Sequence, residues 1–297
     1  GPMSTIADRA PPSRSETHSA VRERAKGWLI AAVIAFALVY TVFPVLWLLL
    51  NSFKTRLDLF AVPPIWLPAD LTLYNYVQTF IERPFLLYML NSVVVALATT
   101  VFSLVIGTLA GYALSRFAYP RGVKRHLSFW ILSTRMMPPI VTIVPLYLFF
   151  SFLGLLNTKA ALVIAYTGFN LPFVVWMMKS YFADIPADLE ESAMVDGDTR
   201  LGAFFRVILP LARPGLAATA IFCLILSWNE LLFALIITET TASNTLPIGI
   251  AGRITQYKTE WGEISAAGFA ACVPIIVFAF IVQRHLVRGL SFGAVKG

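Results

Sequence analysis

The segment that decides the fold is Asp188-Leu189-Glu190-Glu191-Ser192-Ala193-Met194-Val195-Asp196-Gly197, which runs on to Ile208-Leu209-Pro210. It carries a cluster of acids in an otherwise hydrophobic chain and lies between two apolar stretches. Asp188 followed by Glu191 has the pattern of a capping box, in which the first side chain of a helix and the third satisfy each other's backbone amides. Gly197 supplies the left-handed residue that commonly ends a helix. The segment therefore predicts a short helix capped by Asp188 and closed by Gly197.

A second short helix is predicted to follow this turn. Thr199 can cap it, because a threonine hydroxyl accepts a hydrogen bond from a free amide of the first turn. Four apolar residues then recur at the spacing of one helix face: Leu201, Phe204, Phe205 and Ile208. Pro210 and Pro214 interrupt the helix before the next hydrophobic run. Residues 183–214, which we term the acidic loop, are thus predicted to form a rigid amphipathic helix–turn–helix on the aqueous side of a membrane.

The composition of the rest of the chain is that of an integral membrane protein. The sequence is 58% hydrophobic and only 13% charged, with a mean hydropathy of +0.75, which is too apolar for a soluble domain of this length. Apolar runs of about 20 residues, enough to cross a bilayer, recur along it. We predict six spans in an all-α fold: Trp28 to Leu50, Leu90 to Leu114, Phe129 to Phe152, Ala160 to Met178, Leu216 to Ile237 and Ala266 to Val282.

The distribution of basic residues predicts the orientation. With the N-terminus in the cytoplasm, sixteen of the 23 lysines and arginines fall in the inner segments and six in the outer ones, while Arg135 lies in or beside a span. Inner loops of membrane proteins carry such an excess. Six spans then place both termini in the cytoplasm, on the same side as the acidic loop. The net charge of +7 therefore reports topology, and an acidic, membrane-tethered helix–turn–helix argues against a nucleic-acid partner.

The sequence lacks the motifs of several kinds of catalytic and metal sites. The chain has no phosphate-binding GxxxxGK[ST] loop and no GxSxG elbow. Its three histidines are not at metal-ligand spacing. Cys223 and Cys272 fall within predicted spans, where we expect reduced, inert thiols. We therefore predict a non-catalytic subunit with no metal site and no cofactor of its own.

Two features concern how the spans pack and break. Gly107 and Gly111 form a GxxxG pair, which predicts a close helix-packing face. Arg135-Met136-Met137-Pro138-Pro139 interrupts the third span, and Pro172 lies in the fourth. Breaks at membrane depth are tolerated where they are buried in protein or line a wet cavity, and they often accompany translocation paths. The alternative is that the third span begins after Pro139 and that Arg135 marks its cytoplasmic edge.

A polar group inside the fifth span gives the substrate-path candidates. The sequence Ser227-Trp228-Asn229-Glu230 places a carboxylate in a membrane helix, which is costly unless it meets partners or water. We take Trp228, Asn229 and Glu230, together with Asn170 in the fourth span, as candidates for the path. Glu230 lines a pore, contacts another subunit or reaches the outer interface; the sequence leaves these open.

The segments outside the spans are simpler. Gly1-Pro2 ahead of Met3 is typical of a protease-cleavage remnant, and residues 1–26 are predicted to be a cytoplasmic tail that is disordered to about Ala20. The long outer segment from Asn51 to Tyr88 contains prolines and aromatics. It either anchors the chain at the headgroup level or contacts an external protein.

The acidic loop and several shorter motifs resemble a known family. Glu191-Ser192-Ala193, three further residues, Gly197 and Ile208-x-Pro210 resemble the EAA loop of bacterial ABC-importer permeases, with serine in place of the middle alanine. The resemblance covers nearly the whole chain and extends to the permease subunit with the shorter N-terminal region in maltose-type carbohydrate importers. Its other elements are Arg135-Met136-x-Pro138-Pro139, Pro145-Leu146-Tyr147, Leu153-Gly154-Leu155, Trp228-Asn229-Glu230 and the ending Leu290 to Gly297.

This resemblance implies a complex. The expected partners of this chain are a second permease, two copies of an ATPase that bind ATP and magnesium, and a periplasmic or lipid-anchored solute-binding protein. The chain itself would lie in the inner membrane, in contact with lipid. The acidic loop is expected to dock into a groove on the ATPase, with Glu190, Glu191 and Asp196 pairing with its basic groups and Leu201, Phe204 and Phe205 burying an apolar face. The full set of coupling residues is Glu190, Glu191, Ser192, Ala193, Asp196, Gly197, Leu201, Phe204, Phe205, Ile208 and Pro210.

The expected function is ATP-driven import of a sugar or sugar derivative, such as an oligosaccharide, glycoside or polyol, by alternating access. Residues 27–288 would form the permease domain, and the tail after Arg288, residues 289–297, would contact the ATPase. Two other classes remain open from the sequence. One is an ABC importer for a non-sugar solute such as an amino acid or phosphate, and the other is a secondary transporter or channel that works without an ATPase.

Overall fold

The computed structural model describes residues 14–68, 70–255 and 258–293, and within them the chain is helical. The described part has no β-strand beyond an isolated antiparallel bridge between Ile254 and Thr259, which confirms the predicted all-α class. The helices are α1 Arg14–Ser52, α2 Arg56–Leu59, α3 Tyr74–Phe80, α4 Phe85–Arg116, α5 Val123–Thr134, α6 Pro139–Phe152, α7 Lys159–Asp184, α8 Asp188–Val195, α9 Arg200–Ala203, α10 Leu209–Leu211, α11 Arg213–Trp228, α12 Leu232–Ile237, α13 Leu246–Ala251 and α14 Trp261–Gly293. A π-helical turn, Phe204–Ile208, joins α9 to α10.

Four segments are continuous helices long and apolar enough to cross a membrane, and they match four of the predicted spans. They are Lys26–Ser52, Phe85–Arg116, Lys159–Asp184 and Trp261–Ile281. Two further pairs of helices pass the same test only together, because each pair is bent at a short break. The structure therefore contains four continuous candidate spans, or six if each bent pair crosses once.

The predicted third and fifth spans are not single helices. Helices α5 and α6 meet at 85° across residues 135–138, where Pro138 and Pro139 prevent the helix from continuing. The predicted fifth span, Leu216 to Ile237, ends as a helix at Trp228 and resumes at Leu232. Arg135 lies in this break, between the end of α5 at Thr134 and the start of α6 at Pro139.

The centre of the fold is the pair α4 and α7, with α11 packed against both. The two glycines of the GxxxG pair explain how closely α4 approaches α7. A methyl group at Gly107 would lie 2.6 Å from Val174 Cγ1, and one at Gly111 would lie 2.9 Å from the backbone nitrogen of Lys179. Only glycine allows this approach, so the predicted packing face is confirmed.

Helices α1 and α14 lie at the periphery and pack on each other. The apolar side chains of α1 are exposed along most of its length. Its backbone is already helical from Arg14, so the disorder predicted up to about Ala20 is wrong for residues 14–20. Predictions for residues 1–13 and 294–297, which include the ends of both tails, lie outside the described residues.

The segment between α1 and α4 folds back onto the end of α1. The Asn75 side chain donates hydrogen bonds to the carbonyls of Ser52 and Lys54 at 3.0 Å each. Lys54 is buried, and its ammonium group donates to the Asn51 side chain and to the Ile65 carbonyl at 2.8 and 2.6 Å. Burial lowers the pKa of Lys54, and nearby Asp58 partly offsets that effect.

Candidate functional site

The first helix of the acidic loop, α8, begins at Asp188 with a different cap from the one predicted. Ala187 occupies the N-cap position and offers no side-chain hydrogen bond, so the capping box of Asp188 and Glu191 is wrong by one residue. Asp188, Glu190 and Glu191 instead lie in the first turn, where negative charge is favoured by the helix dipole. The end of the helix agrees with prediction: Gly197 has a φ of 96°, and its amide donates to the carbonyl of Met194 at 3.2 Å.

The second helix of the loop starts as predicted and then departs from regular geometry. The Thr199 hydroxyl accepts a hydrogen bond from the Gly202 amide at 3.0 Å, which confirms the cap. After α9 the chain widens into the π-turn and continues through Pro210 to Leu211, so Pro210 does not end the helix. The break comes at Ala212, where the axis turns by 74° into α11.

Glu190 is the buried centre of this loop. Tyr112, on α4, donates a hydrogen bond of 2.5 Å to its Oε1 atom. Arg116, one turn further along α4, places Nε 3.3 Å from Oε2, and its terminal nitrogen donates to the Ile185 carbonyl at 2.7 Å. Arg200, on α9, approaches Oε1 at 4.0 Å and is half exposed. We call Tyr112, Arg116, Glu190 and Arg200 the Glu190 cluster.

The cluster changes the role predicted for Glu190. The sequence assigned this acid to a partner's basic groups, whereas the structure uses it within the chain, with 4% of its surface exposed. Because the carboxylate, on α8, binds groups from α4 and α9, it fixes the loop to the end of a membrane helix. Sequence reasoning missed Tyr112 and Arg116, which lie more than 70 residues away and carry no local signal of this pairing.

Aromatic packing reinforces the same attachment. The ring of Tyr112 lies 4.5 Å from that of Phe204 and 5.7 Å from that of Phe182, at the end of α7. Phe204 and Ile208 are fully buried in the hydrophobic core that surrounds these rings. Leu201 and Phe205 are instead 61% and 54% exposed. The predicted apolar face is therefore divided: one half packs into the chain's own core, and the other half faces outward.

The outward surface of α8 carries the remaining predicted coupling residues. Glu191, Ser192, Asp196 and Gly197 are exposed, and Ala193 is half-buried beneath them. Val195 has 87% of its surface exposed. The result is a surface that combines acids with a bare aliphatic side chain.

The substrate-path candidates fall into two groups. Asn170 and Trp228 are buried within the helix packing, where the Asn170 amide donates to Ser227 Oγ at 2.9 Å. Asn229 and Glu230 lie at the break between α11 and α12. Asn229 is exposed, whereas Glu230 accepts hydrogen bonds from the amides of Phe233 and Ala234 at 3.0 and 3.3 Å. Glu230 thus caps α12, which satisfies its charge locally.

Residues 103–292, which contain the acidic loop and both span breaks, match a family model described as a binding-protein-dependent transport system inner membrane component. The chain belongs to this family. As its description indicates, the permease is an inner-membrane transport component, and the several apolar helices are those of a multi-pass protein.

Curated relatives of the permease cover nearly its whole length. It is 38% identical over 260 residues to the sulfoquinovosyl glycerol transport system permease protein SmoH of Agrobacterium fabrum, covering 88% of this chain and 90% of that one. It is 37% identical over 276 residues to the trehalose transport system permease protein SugB of Mycobacterium tuberculosis, covering 92% and 98%. These relatives and the family model confirm the resemblance: the permease is an ABC-importer subunit of the carbohydrate type.

A solved structure shows the same fold. The permease superposes with a TM-score of 0.70 on a chain of a bacterial ABC transporter involved in the import of the acidic polysaccharide alginate, at 22% identity and covering 93% of this chain and 99% of that one. The likeness therefore extends over nearly the whole length of both chains.

Proposed function

We propose that this permease moves a sugar or sugar derivative, such as an oligosaccharide, glycoside or polyol, into the cytoplasm by alternating access. A separate ATPase, which binds ATP and magnesium, would drive it through the acidic loop. The names of its relatives support the substrate class, since the solutes in them are sulfoquinovosyl glycerol, trehalose and diacetylchitobiose. The family description supports a transport role without chemistry on a covalent bond.

The observation that carries the coupling role is the attachment of Glu190 to α4. A force applied to the loop reaches α4 through the hydrogen bond from Tyr112 and the ion pair with Arg116. It also reaches α7 through the buried ring of Phe204. Since α4 and α7 are in close contact at Gly107 and Gly111, the loop and the two helices are expected to move as one body. That is what a domain closing around an interface requires.

The ATPase would bind the outward surface of α8. Its exposed acids, Asp188, Glu191 and Asp196, offer charge-assisted hydrogen bonds to basic groups, and the bare side chains of Val195 and Leu201 offer apolar contact. If the ATPase binds this surface more tightly in one nucleotide state than in the other, the difference in binding free energy shifts the equilibrium between the two states of the spans.

The other proposed partners occupy the rest of the molecule. A second permease would cover exposed apolar helix surface within the membrane. A periplasmic or lipid-anchored solute-binding protein would meet the opposite end from the acidic loop, where a cleft of about 340 Å³ lies between the segment after α1 and the start of α14. With this orientation both termini are cytoplasmic, in agreement with the excess of basic residues on the acidic-loop side.

The test is charge reversal on the outward surface of α8. In cells that make the whole transporter, Glu191→Lys is expected to lower uptake at least tenfold and to abolish stimulation of ATP turnover by the solute-binding protein, while the amount of permease in the membrane stays the same. Asp184→Lys is the matched control, because Asp184 is an exposed acid at the end of α7 and lies outside α8. Normal uptake by Glu191→Lys, or an equal loss in both variants, would contradict the proposal.

A further inference from the structure

Arg135 lies at the break between α5 and α6, halfway through the membrane part of the fold. Its guanidinium carbon is 5.1 Å from the ring centre of Phe169 and 5.4 Å from that of Phe173. These two residues flank the middle of α7, a helix of 26 residues that is about 39 Å long at 1.5 Å per residue. Arg135 is therefore roughly 15–20 Å from either end of that helix.

The charge of Arg135 has no opposite charge beside it. Within residues 26–281 of the described chain, no carboxylate lies within 4 Å of its guanidinium. Among the residues that the structure describes, its one hydrogen bond goes from Nη1 to the Phe169 carbonyl at 3.3 Å. Since a guanidinium carries five N–H donors in a planar fork, most of its donors remain available. The two phenylalanine rings hold the group in place without neutralising it.

The side chain belongs to a surface that is not suited to lipid. Phe173 packs on Phe222 of α11 with ring centres 6.0 Å apart, and Phe222 is 52% exposed. Asn229, which is also exposed, follows Phe222 by seven residues and therefore lies near the same face of α11. A cation and an amide at membrane depth are costly in hydrocarbon and normally face water or protein. By contrast, the large exposed side chains of α4 are all apolar.

We propose that Arg135, on its platform of Phe169 and Phe173, is a mid-membrane contact for an anionic group of the transported solute, such as a carboxylate, sulfonate or phosphate. Planar, bidentate hydrogen bonding makes arginine well suited to such groups, and a charge in a low-dielectric path acts strongly on a passing ion. This inference rests on the proposed function only in that it requires the exposed surface around Phe222 to line the path.

The test measures the charge preference of that surface without knowledge of the solute. In the complete transporter, Cys223 and Cys272 are replaced by alanine and Phe222→Cys provides a single thiol. Labelling rates are measured with the negatively charged sulfonatoethyl and the positively charged trimethylammonioethyl methanethiosulfonates. We expect the ratio of the anionic to the cationic rate to fall by about tenfold when Arg135→Gln is added and to be retained with Arg135→Lys.

Two further variants make the result decisive. Asn229→Cys repeats the measurement at a second position, should Phe222→Cys fail to assemble. Val101→Cys, on the exposed apolar face of α4, is the control for a surface that lipid or another subunit covers, and it is expected to react with neither reagent. A ratio unchanged by Arg135→Gln would overturn the proposal. So would thiols at both 222 and 229 that neither reagent reaches in any nucleotide state, since lipid or protein would then cover this surface. Neither result would alter the Glu191→Lys outcome that tests the coupling role.

Discussion

Two buried carboxylates, at opposite ends of the molecule, are held by arginines in different ways. Glu190 joins the acidic loop to α4 and shares its oxygens with a tyrosine hydroxyl and two arginines. Glu263, in the first turn of α14, pairs with the buried Arg253 and, at 3.4 Å, with the half-exposed Arg83. Burial lowers the pKa of Arg253, and the charge of Glu263 partly offsets that effect.

The difference lies in what each acid connects. Glu263 binds together segments that already adjoin α14, namely the turn after α13, which contains Arg253, and the turn before α4, which contains Arg83. Glu190 binds a surface loop, which exposes most of its other acids, to a membrane helix. Equal burial therefore differs in its consequence: the ion pairs of Glu263 hold helix ends in place, whereas those of Glu190 would, under the proposed coupling role, make an outside contact act on the spans.

The largest expected effect is at Glu190. Its replacement by alanine leaves Arg116 buried without its carboxylate, and loss of one partner of a buried pair typically costs about 3–5 kcal/mol. We expect a lower unfolding temperature in detergent and, in addition, loss of uptake. Glu191→Ala is the matched control, because its exposed side chain should change the free energy of unfolding by less than about 0.5 kcal/mol. Equal thermal stability of the two variants would show that the Glu190 cluster does not hold the loop.

A second prediction separates holding from coupling. Glu263→Gln leaves Arg253 without its carboxylate and should destabilise the permease by about 3 kcal/mol. In the molecules that remain folded, the number of ATP molecules hydrolysed per solute imported should stay normal. Transport in proteoliposomes, corrected for the amount of assembled transporter, measures this ratio. If the ratio rises as much as it does in a Glu190 variant, the distinction between the two ion pairs fails.

The smallest expected effect concerns α4 and α7, the helix pair proposed to move with the acidic loop. Gly111→Ala places a methyl group against the backbone of α7, and overpacking of this kind costs about 1–3 kcal/mol. Gly168→Ala, on α7 itself, meets no atom within 4 Å and should be neutral or slightly stabilising. Thermal unfolding of both variants provides the comparison. A Gly111→Ala protein as stable as the Gly168→Ala protein would mean that α4 and α7 separate easily.

Local patterns in the sequence predicted local structure well. Continuous apolar runs identified the four unbroken spans because a bilayer requires about 20 such residues. Gly197 and Thr199 ended and began their helices as predicted, since a left-handed backbone and a hydroxyl cap depend only on neighbouring residues. The pair Gly107 and Gly111 likewise predicted close packing, although not that the partner would be α7.

Two of the failures share one cause, which is that a pattern does not name its partner. The acid at Glu190 indicated an ion pair, but its arginine comes from a distant helix of the same chain. The stripe from Leu201 to Ile208 indicated burial, but only Phe204 and Ile208 turn toward the chain's own core. The π-turn begins within this stripe, and its wider hydrogen bonding changes the angular spacing of side chains. The path candidates Asn170, Trp228, Asn229 and Glu230 all remain predictions.

The pairing of α1 with α14 has a consequence for biogenesis. When α1 leaves the ribosome, its packing partner α14 is still untranslated, because it lies roughly 200 residues further along the chain. At a synthesis rate of about 5–20 residues per second, the delay between the two helices is some tens of seconds at the slow end. During this interval α1 lacks the helix that it packs against in the finished fold. A chain that terminates prematurely before Trp261 would therefore leave α1 as an orphan in the bilayer, and membrane quality-control proteases should recognise such a product.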